Sequence, residues 1–366
     1  MKKIFIVAGA RPNFMKIAPL VKQLKKNNVT FMLIHTGQHY DYEMSKIFFD
    51  ELDIPEPDIF LNVGSASHAV QTAKIMVEFE KAILKENPNL IIVVGDVNST
   101  IACALVAKKL YVKIAHVEAG LRSFDNTMPE EINRILTDKL SDFLFTTEKS
   151  GEINLKKEGI DSNKIYFVGN IMIDNLLNNM EKARKLDSLY KYNLKRKNFT
   201  LITAHRPSNV DNKENLEKII EIINYLQESI TVFFPIHPRT KKNVEKFNLM
   251  DKIKKDNLIL SKPVGYLEFL NLMDNSKMIL TDSGGIQEEA SFLNIPILTL
   301  RKNTERPITV EKGTNTIIDC DFLKAKEIID RIFSNKYKQG QKIENWDGKT
   351  AERIVNILKF NFLEKE

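Results

Sequence analysis

The sequence predicts an α/β protein made of two doubly wound parallel-sheet domains. Two observations carry that prediction. Short runs rich in β-branched residues alternate with longer amphipathic stretches, the pattern of repeated strand–helix units. The alternation is interrupted once, near the middle of the chain, and then resumes. The length agrees, because 366 residues at roughly 100–200 per domain suggests two domains, each large enough to bury its own core.

The first series of strands is KIFIVAG (3–9), TFMLIHTG (30–37), LIIVVGD (90–96), KIAHVEAG (113–120), DFLFTT (142–147) and IYFVGN (165–170). Nearly continuous apolar runs of this length suit strands covered on both faces, as in a parallel sheet. The helical spacers fall at 15–26, 67–86, 99–109, 129–139 and 149–158. From about 174 to 198 the chain is rich in Lys, Asn and Leu without a β-branched run, and reads as helix and polar linker. A second series follows with FTLITAH (199–205), TVFFPIH (231–237), LILSKP (258–263), KMILTD (277–282) and PILTL (296–300). After Trp346, the stretch AERIVNILKFNFL places Ile354, Leu358 and Phe362, with Val355 and Ile357 beside them, on one helix face. The expected organisation is a first domain over 1–170, a second over 171–350 and a final helix over 351–366.

Composition narrows the classes of function. With 54 Lys and Arg against 48 Asp and Glu the net charge is +6, and 43% of residues are hydrophobic and 28% charged. That balance fits an ordinary globular protein and gives no reason to expect a nucleic-acid partner. No run reaches the roughly 18–20 apolar residues that span a bilayer, so no membrane partner is expected and the cytoplasm is the expected location. The opening MKKIFIVAGARPNF places lysines before an apolar run, but the run stops at Arg11-Pro12-Asn13 and reads as a strand, not a signal peptide. Cys103 and Cys320 are too few for a disulfide framework, which suits a reducing compartment, and both read as buried small residues. There is no G-x-G-x-x-G and no G-x-x-x-x-G-K-[ST], which disfavours a nicotinamide cofactor or ATP held in the usual way. No HExxH or Cys/His cluster has metal spacing, so neither a metal nor another cofactor is expected.

The chemically interesting residues cluster at strand ends. The first strand runs into GARPNFMKIAPL, where Arg11 and Lys16 stand beside a helix start and form a candidate anion site. Strand 90–96 ends in Gly95-Asp96 and strand 113–118 in His116-Val117-Glu118, so two carboxylates stand at the ends of consecutive strands. Acids in that position read as general acids or bases. MPEE adds Glu130 and Glu131 in a helix's first turn, where simple dipole complementation is the plainer role. In the second half, strand 199–204 runs into His205-Arg206, and strand 277–282 into Asp282-Ser283-Gly284-Gly285. Ser-Gly-Gly opening a helix lets backbone approach phosphate oxygens, with Glu289 one turn in placed for a ribose diol. Thr304-Glu305-Arg306-Pro307 brings another Glu/Arg pair near the same edge. Of the histidines, His39, His68, His116, His205 and His237 read as strand-end or loop residues and His35 as a strand residue. A structural role is the default for each, and His205, beside Arg206, departs from it.

Taken together, these residues resemble the non-hydrolysing UDP-N-acetylglucosamine 2-epimerases. GARPNFMKIAPL, TGQH, Gly95-Asp96, HVEAGLR, PEEINR, GN and ID at 169–174, AHR, DSGGIQEEA and TERP follow that family's order over nearly the whole chain. The resemblance implies two Rossmann-like doubly wound domains facing across a cleft, the glycosyltransferase-B architecture, with the last helix packing back on the first domain. It implies interconversion of UDP-N-acetylglucosamine and UDP-N-acetylmannosamine through elimination of UDP to a 2-acetamidoglucal. The matching catalytic residues are Asp96, Glu118, Glu130, His205 and Lys16. Those matching UDP contacts are Arg11, Lys16, His205, Ser283, Gly284, Gly285, Glu289 and Arg306. The implied partners are a nucleotide-sugar substrate and a second copy of the chain in a homodimer. Two segments depart from bacterial members, HRPSN at 205–209 and Tyr40-Asp41-Tyr42-Glu43-Met44, in regions that form a regulatory UDP-sugar site in those relatives. The second segment also resembles relatives acting on UDP-2,3-diacetamido uronic acids. The alternatives are that substrate, a UDP-sugar glycosyltransferase of the same architecture, a hydrolysing epimerase, and a UDP-sugar sensor without chemistry.

Overall fold

Alternate residues along the strands of the second half belong to different cores. Ile202, Val232, Phe234, Leu280 and Leu298 pack on one side of the sheet, and Leu201, Phe233, Ile279 and Ile297 on the other. That period of two, with both faces covered, is why these strands read as unbroken apolar runs instead of alternating ones. The structure, a computed structural model, describes residues 2–38 and 49–364, the side chain of Arg11 excepted. His39 and Tyr40–Met44 lie outside the described residues.

The chain divides into two compact units, Met1–Asn178 with Glu344–Glu366, and Asn179–Ile343. The first holds a seven-stranded sheet of β1 (Ile4–Ala8), β2 (Phe31–His35), β3 (Ile59–Phe60), β4 (Leu90–Val94), β5 (Lys113–Ala119), β6 (Phe143–Thr146) and β7 (Ile165–Phe167). Its order is β3-β2-β1-β4-β5-β6-β7 and every pairing is parallel. Its helices include α1 (Arg11–Lys26), α2 (His68–Glu86), α3 (Asn98–Lys109), α4 (Pro129–Leu140), α5 (Lys149–Lys157) and α6 (Ile171–Arg184), the last running from the first unit into the second.

The second unit holds six strands, β8 (Phe199–Thr203), β9 (Thr231–Pro235), β10 (Leu258–Ser261), β11 (Met278–Thr281), β12 (Ile297–Thr299) and β13 (Asn315–Ile317). Their order is β10-β9-β8-β11-β12-β13, again all parallel. Its helices include α7 (Lys213–Gln227), α8 (Pro238–Lys246), α9 (Tyr266–Asn275), α10 (Gly284–Phe292) and α11 (Phe322–Phe333). Each unit is therefore Rossmann-like and doubly wound. The strand order reverses between β1 and β4 in one unit and between β8 and β11 in the other. A crevice opens at such a point beyond the carboxyl ends, and ligands of open α/β sheets bind there.

Two strands were not expected from the sequence. β3 spans two residues and β13 three, too short to leave a β-branched run, and each forms as an edge strand against its neighbour, β2 or β12. The final helix, α12 (Thr350–Leu358), packs on α1 of the first unit. Its start is held by Asp174 of α6, whose carboxylate accepts from Thr350 N at 3.1 Å and Ala351 N at 2.8 Å. Just before it, Trp346 Nε1 donates to Thr147 O at 3.3 Å, and Asn345 O lies so close to Gly169 that a Cβ there would be 2.0 Å away. These ties explain why the unit takes back the chain at Glu344, ahead of the helix itself. Beyond Leu358 the helix widens into a π turn, Lys359–Leu363. The turn breaks the helical spacing, so Phe362 is only partly covered while Ile354, Val355 and Leu358 are buried.

Candidate active site

At the reversal point of the first unit, β1 runs through Gly9-Ala10 into α1. Ala10 has no side chain to cap the helix. Asn13 does so instead, its Oδ1 accepting from Gly9 N and Ala10 N at 3.0 Å each, while its Nδ2 donates to Val94 O at 3.1 Å. One buried amide thus ties the ends of β1 and β4 together. Arg11 opens α1 in the same turn. Lys16, one turn further on, points its Nζ at Glu118 Oε2 in a buried ion pair. Gly95 lies over that pair at φ +66, where a Cβ would come within 2.8 Å of Lys16 Nζ and 3.9 Å of Glu118 Oε2. Glycine meets both the torsion and the space there.

Glu118 itself has φ +77, and the pairing of β5 with β6 shifts register between Val117 and Ala119. A bulge at a strand's carboxyl end re-aims its side chain, and an acid held at positive φ stores strain of the kind that gathers at functional sites. Asp96, on the neighbouring strand end, receives Arg134 Nη2 at 2.5 Å. The other arm of Arg134 donates to Glu131 at 2.8 Å. Glu131 also accepts from Ser123 N, Ser123 Oγ and Phe124 N between 2.9 and 3.1 Å. Glu131 is therefore a fully occupied internal acid, whereas Glu130 beside it is partly exposed and takes no part in the cluster.

His116 stands in the middle of β5, not at its end, and is fully buried. Its Nδ1 is 2.7 Å from Asp138 Oδ1 and its Nε2 2.8 Å from Gly95 O. Asp138 also accepts from Gly120 N at 3.1 Å and pairs with Arg122 at 2.7 Å. Burial alone would push the Asp138 carboxyl up, but the His116 hydrogen bond and the Arg122 charge bring it below the usual range. Of the other described histidines, His35 in its strand and His237 just past β9 stand as expected, whereas His68 lies in a helix. His35 closes β2, His68 opens α2, and His237 caps α8 by accepting from Arg239 N at 3.2 Å.

At the reversal point of the second unit, fully buried Asp282 gathers the turn after β8. Its Oδ2 accepts from His205 N and Arg206 N at 2.8 Å and from Asn209 Nδ2 at 3.2 Å. Its Oδ1 lies 3.0 Å from Nδ1 of the half-exposed His205 ring. Burial pushes this carboxyl up, and the His205 and backbone contacts outweigh it, so the group sits below its ordinary range. Asn209 also donates to Leu300 O at 2.8 Å, so the asparagine of HRPSN is a tie between strand ends.

α10 begins at Gly284 with Ser283 before it and no side chain capping it, which leaves first-turn N–H groups free to meet an anion. Arg306 lies against this start, its Nη1 2.7 Å from where a Gly284 Cβ would be. The guanidinium pairs with Glu288 at 2.8 Å and Glu305 at 3.3 Å. Arg301 grips Glu305 with two bonds of 2.8 and 2.7 Å. Burial raises the Glu305 carboxyl, but Arg301 and Arg306 hold it well below the usual range. Glu289 is the opposite case. Burial pushes it up to about 8, the Tyr266 hydroxyl that donates to it at 2.7 Å lowers it only in part, and neighbouring Glu288 raises it further.

Burial pushes both cysteine thiols up, Cys320 to about 12, consistent with packing roles. Among the described residues no group of His, Cys, Asp and Glu is arranged to hold a metal, and no helix is long and apolar enough to cross a membrane. Sequence reasoning passed over Asn13, Arg134, Asp138 and Tyr266. Asn13 had a signal at the third helical position after a glycine turn, and Arg134 one in its i+3 spacing from Glu131. Tyr266 had none.

A Rossmann-like unit with carboxylates at its reversal point, and a second with an uncapped glycine helix start among arginines, together define an enzyme class that works on nucleotide-linked substrates. The family model described as UDP-N-acetylglucosamine 2-epimerase matches residues 22–359, and the chain belongs to this family of isomerases. It is 47% identical over 364 residues to a UDP-N-acetylglucosamine 2-epimerase of Methanocaldococcus jannaschii, covering 98% of this chain and 99% of the other. A crystal structure of the M. jannaschii enzyme in complex with UDP-GlcNAc and UDP superposes with a TM-score of 0.91 at 46% identity, covering 98% and 99% of the chains. A UDP-2,3-diacetamido-2,3-dideoxy-D-glucuronate 2-epimerase of Pseudomonas aeruginosa is 42% identical over 365 residues, covering 97% of this chain and 99% of that one.

Proposed function

We propose that the protein interconverts UDP-N-acetylglucosamine and UDP-N-acetylmannosamine. The carrying observation is the pair of strand-end acids, Asp96 oriented by Arg134 and Glu118 held at positive φ against Lys16. In the reading we favour, a carboxylate removes the C2 proton as the C1–O bond breaks and UDP departs with the bonding electrons, leaving C1=C2 in a 2-acetamidoglucal. A proton then returns to the opposite face of C2 while a UDP oxygen re-forms the bond at C1. Inversion needs an acid or base on each face, for which Asp96, Glu118 and Glu130 are the candidates. Direct abstraction of a C2 proton would be slow with no adjacent ring carbonyl, so stabilising the leaving diphosphate is the main demand. Arg11, Lys16, His205, Arg306 and the Ser283-Gly284-Gly285 helix start are suited to it, and preorganised donors of this kind contribute several kcal/mol of barrier lowering. Glu289 is the candidate for the ribose. A homodimer in the cytoplasm is part of the same reading.

Incubation with UDP-N-acetylglucosamine in deuterated water tests it. Deuterium should enter C2 of both sugars. Retained protium with no mannosamine product removes the proposal, and free UDP released in step with monosaccharide indicates hydrolysis instead. The 42% identity to the Pseudomonas enzyme supports one second reading, a diacetamido uronate substrate. Turnover of the two UDP-sugars side by side separates them.

A further inference from the structure

We propose that His116, with Asp138, is a positioning residue that sets the backbone under both Asp96 and Glu118, an inference that rests on those two acids handling the C2 proton as read above. β4 and β5 pair Val93 with His116, so the ring lies two residues short of Gly95 and reaches forward to its carbonyl at 2.8 Å. That oxygen belongs to the peptide joining Gly95 to Asp96. The far side of the ring meets Asp138 Oδ1 at 2.7 Å, and Asp138 Oδ2 takes Gly120 N at 3.1 Å, two residues past Glu118. One ring and one carboxylate thus connect the peptide that launches the first acid to the Ala119–Gly120 peptide, one beyond the peptide that follows the second.

The backbone at both places has no slack. Gly95 and Gly120 have φ of +66 and +78, and a Cβ on Gly120 would meet Gly151 O at 2.4 Å. The chemistry of the partners sets the direction of each bond. Gly95 O can only accept, so Nε2 donates to it. Asp138 is held as a carboxylate by Arg122 at 2.7 Å, so Nδ1 donates as well. Arg122 is fixed in turn by Glu158 at 2.7 and 2.8 Å. A histidine that filled space alone would not need acceptors at both nitrogens. This one spends both on the segments that carry the acids, in a place where no solvent reaches the ring. His116 touches no reacting atom; it acts through the geometry of Asp96 and Glu118.

The test compares wild type with His116→Gln, Asp138→Asn and Asp96→Asn by steady-state turnover of UDP-N-acetylglucosamine, UDP affinity by calorimetry, and thermal unfolding. Misplacing a catalytic group by an ångström costs about 100-fold in rate. The expected result is therefore a fall in kcat of about that size in His116→Gln and Asp138→Asn, with KM and UDP affinity within about threefold of wild type. Full kcat in a folded His116→Gln beside an inactive Asp96→Asn overturns the positioning proposal alone. Full activity in Asp96→Asn overturns the reading of the acids and the proposal with it. If the buried variants do not fold, ring-¹⁵N spectra of the wild-type protein decide. Slowly exchanging protons on both His116 nitrogens support the lock, and a bare Nε2 overturns it.

Discussion

Lys16 and Glu118 form an ion pair with only 8% and 4% of their side chains exposed, joining the first helix to the bulge of β5. Taking away one partner of a buried pair leaves a charge without its counter-charge and costs about 3–5 kcal/mol, whereas removing both costs far less. Lys16→Met should therefore unfold at markedly lower denaturant than wild type. Adding Glu118→Gln to it should restore most of the stability and none of the turnover. Urea unfolding of the three proteins checks this, and equal midpoints for Lys16→Met and wild type would show that the pair carries no structural weight.

Glu130 and Glu131 are adjacent in sequence but differ in environment. Glu131→Ala strips the acceptor from Ser123 N, Ser123 Oγ, Phe124 N and Arg134. Leaving such groups unsatisfied costs about 1–3 kcal/mol or more, and Arg134 would also lose its grip on Asp96. Glu130→Gln should leave stability within about 0.5 kcal/mol, as for surface substitutions, while turnover is lost. A Glu130→Gln protein that turns over at the wild-type rate would take Glu130 out of the acid set.

The acids Asp96 and Glu118 were legible because each follows an unmistakable apolar run, and a parallel sheet gives the end of such a run a definite place. The Ser283-Gly284-Gly285 helix start was legible for the same reason. What surrounds these residues was not. The positive φ of Glu118 leaves no mark in sequence, because the bulge forms only once β6 pairs beside it. Asp138 sits in the last turn of α4, where nothing in the sequence sets it apart until folding brings it against His116. The difference between Glu130 and Glu131 depends on which one the 123–124 turn wraps around, a tertiary fact that no first-turn pattern encodes. β3 and β13 escaped notice because neighbouring strands stabilise them, not their own residues.

Stability should bend with pH in two directions. Asp138, Asp282 and Glu305 have folded-state pKa values below those of the unfolded chain. Their contribution is complete above the unfolded values, about 4, and is lost as pH falls through the folded ones. Glu289 has the opposite sign, because its folded value is raised to about 8. Its contribution is greatest below the unfolded value and declines as pH rises towards 8. Glu289→Gln keeps the shape and cannot ionise, so it should flatten the alkaline decline and exceed wild type in stability at pH 8, by about 1–3 kcal/mol. Urea unfolding from pH 4 to 9 measures both limbs. An unchanged slope above pH 5 in Glu289→Gln would place the titrating group elsewhere.

Two glycines should separate turnover from binding. At Gly95, φ +66 makes any side chain costly by about 1–2 kcal/mol, and a Cβ would stand 2.8 Å from Lys16 Nζ, forcing the ammonium off Glu118. Gly284 begins a helix, and its added Cβ would meet the Arg306 guanidinium, with Nη1 at 2.7 Å and Cζ at 3.2 Å. Gly95→Ala should then lower kcat at least about 10-fold and cost UDP affinity less than Gly284→Ala does, since it shifts Lys16 and Glu118 and leaves the helix start intact. Gly284→Ala should weaken UDP binding about 10-fold by lifting the guanidinium and narrowing the approach to the first-turn N–H groups, and should lower stability as Arg306 is drawn off Glu288 and Glu305. Steady-state kinetics and calorimetry with UDP distinguish the two. If Gly284→Ala bound UDP as wild type does, the diphosphate would have to be held away from the start of α10.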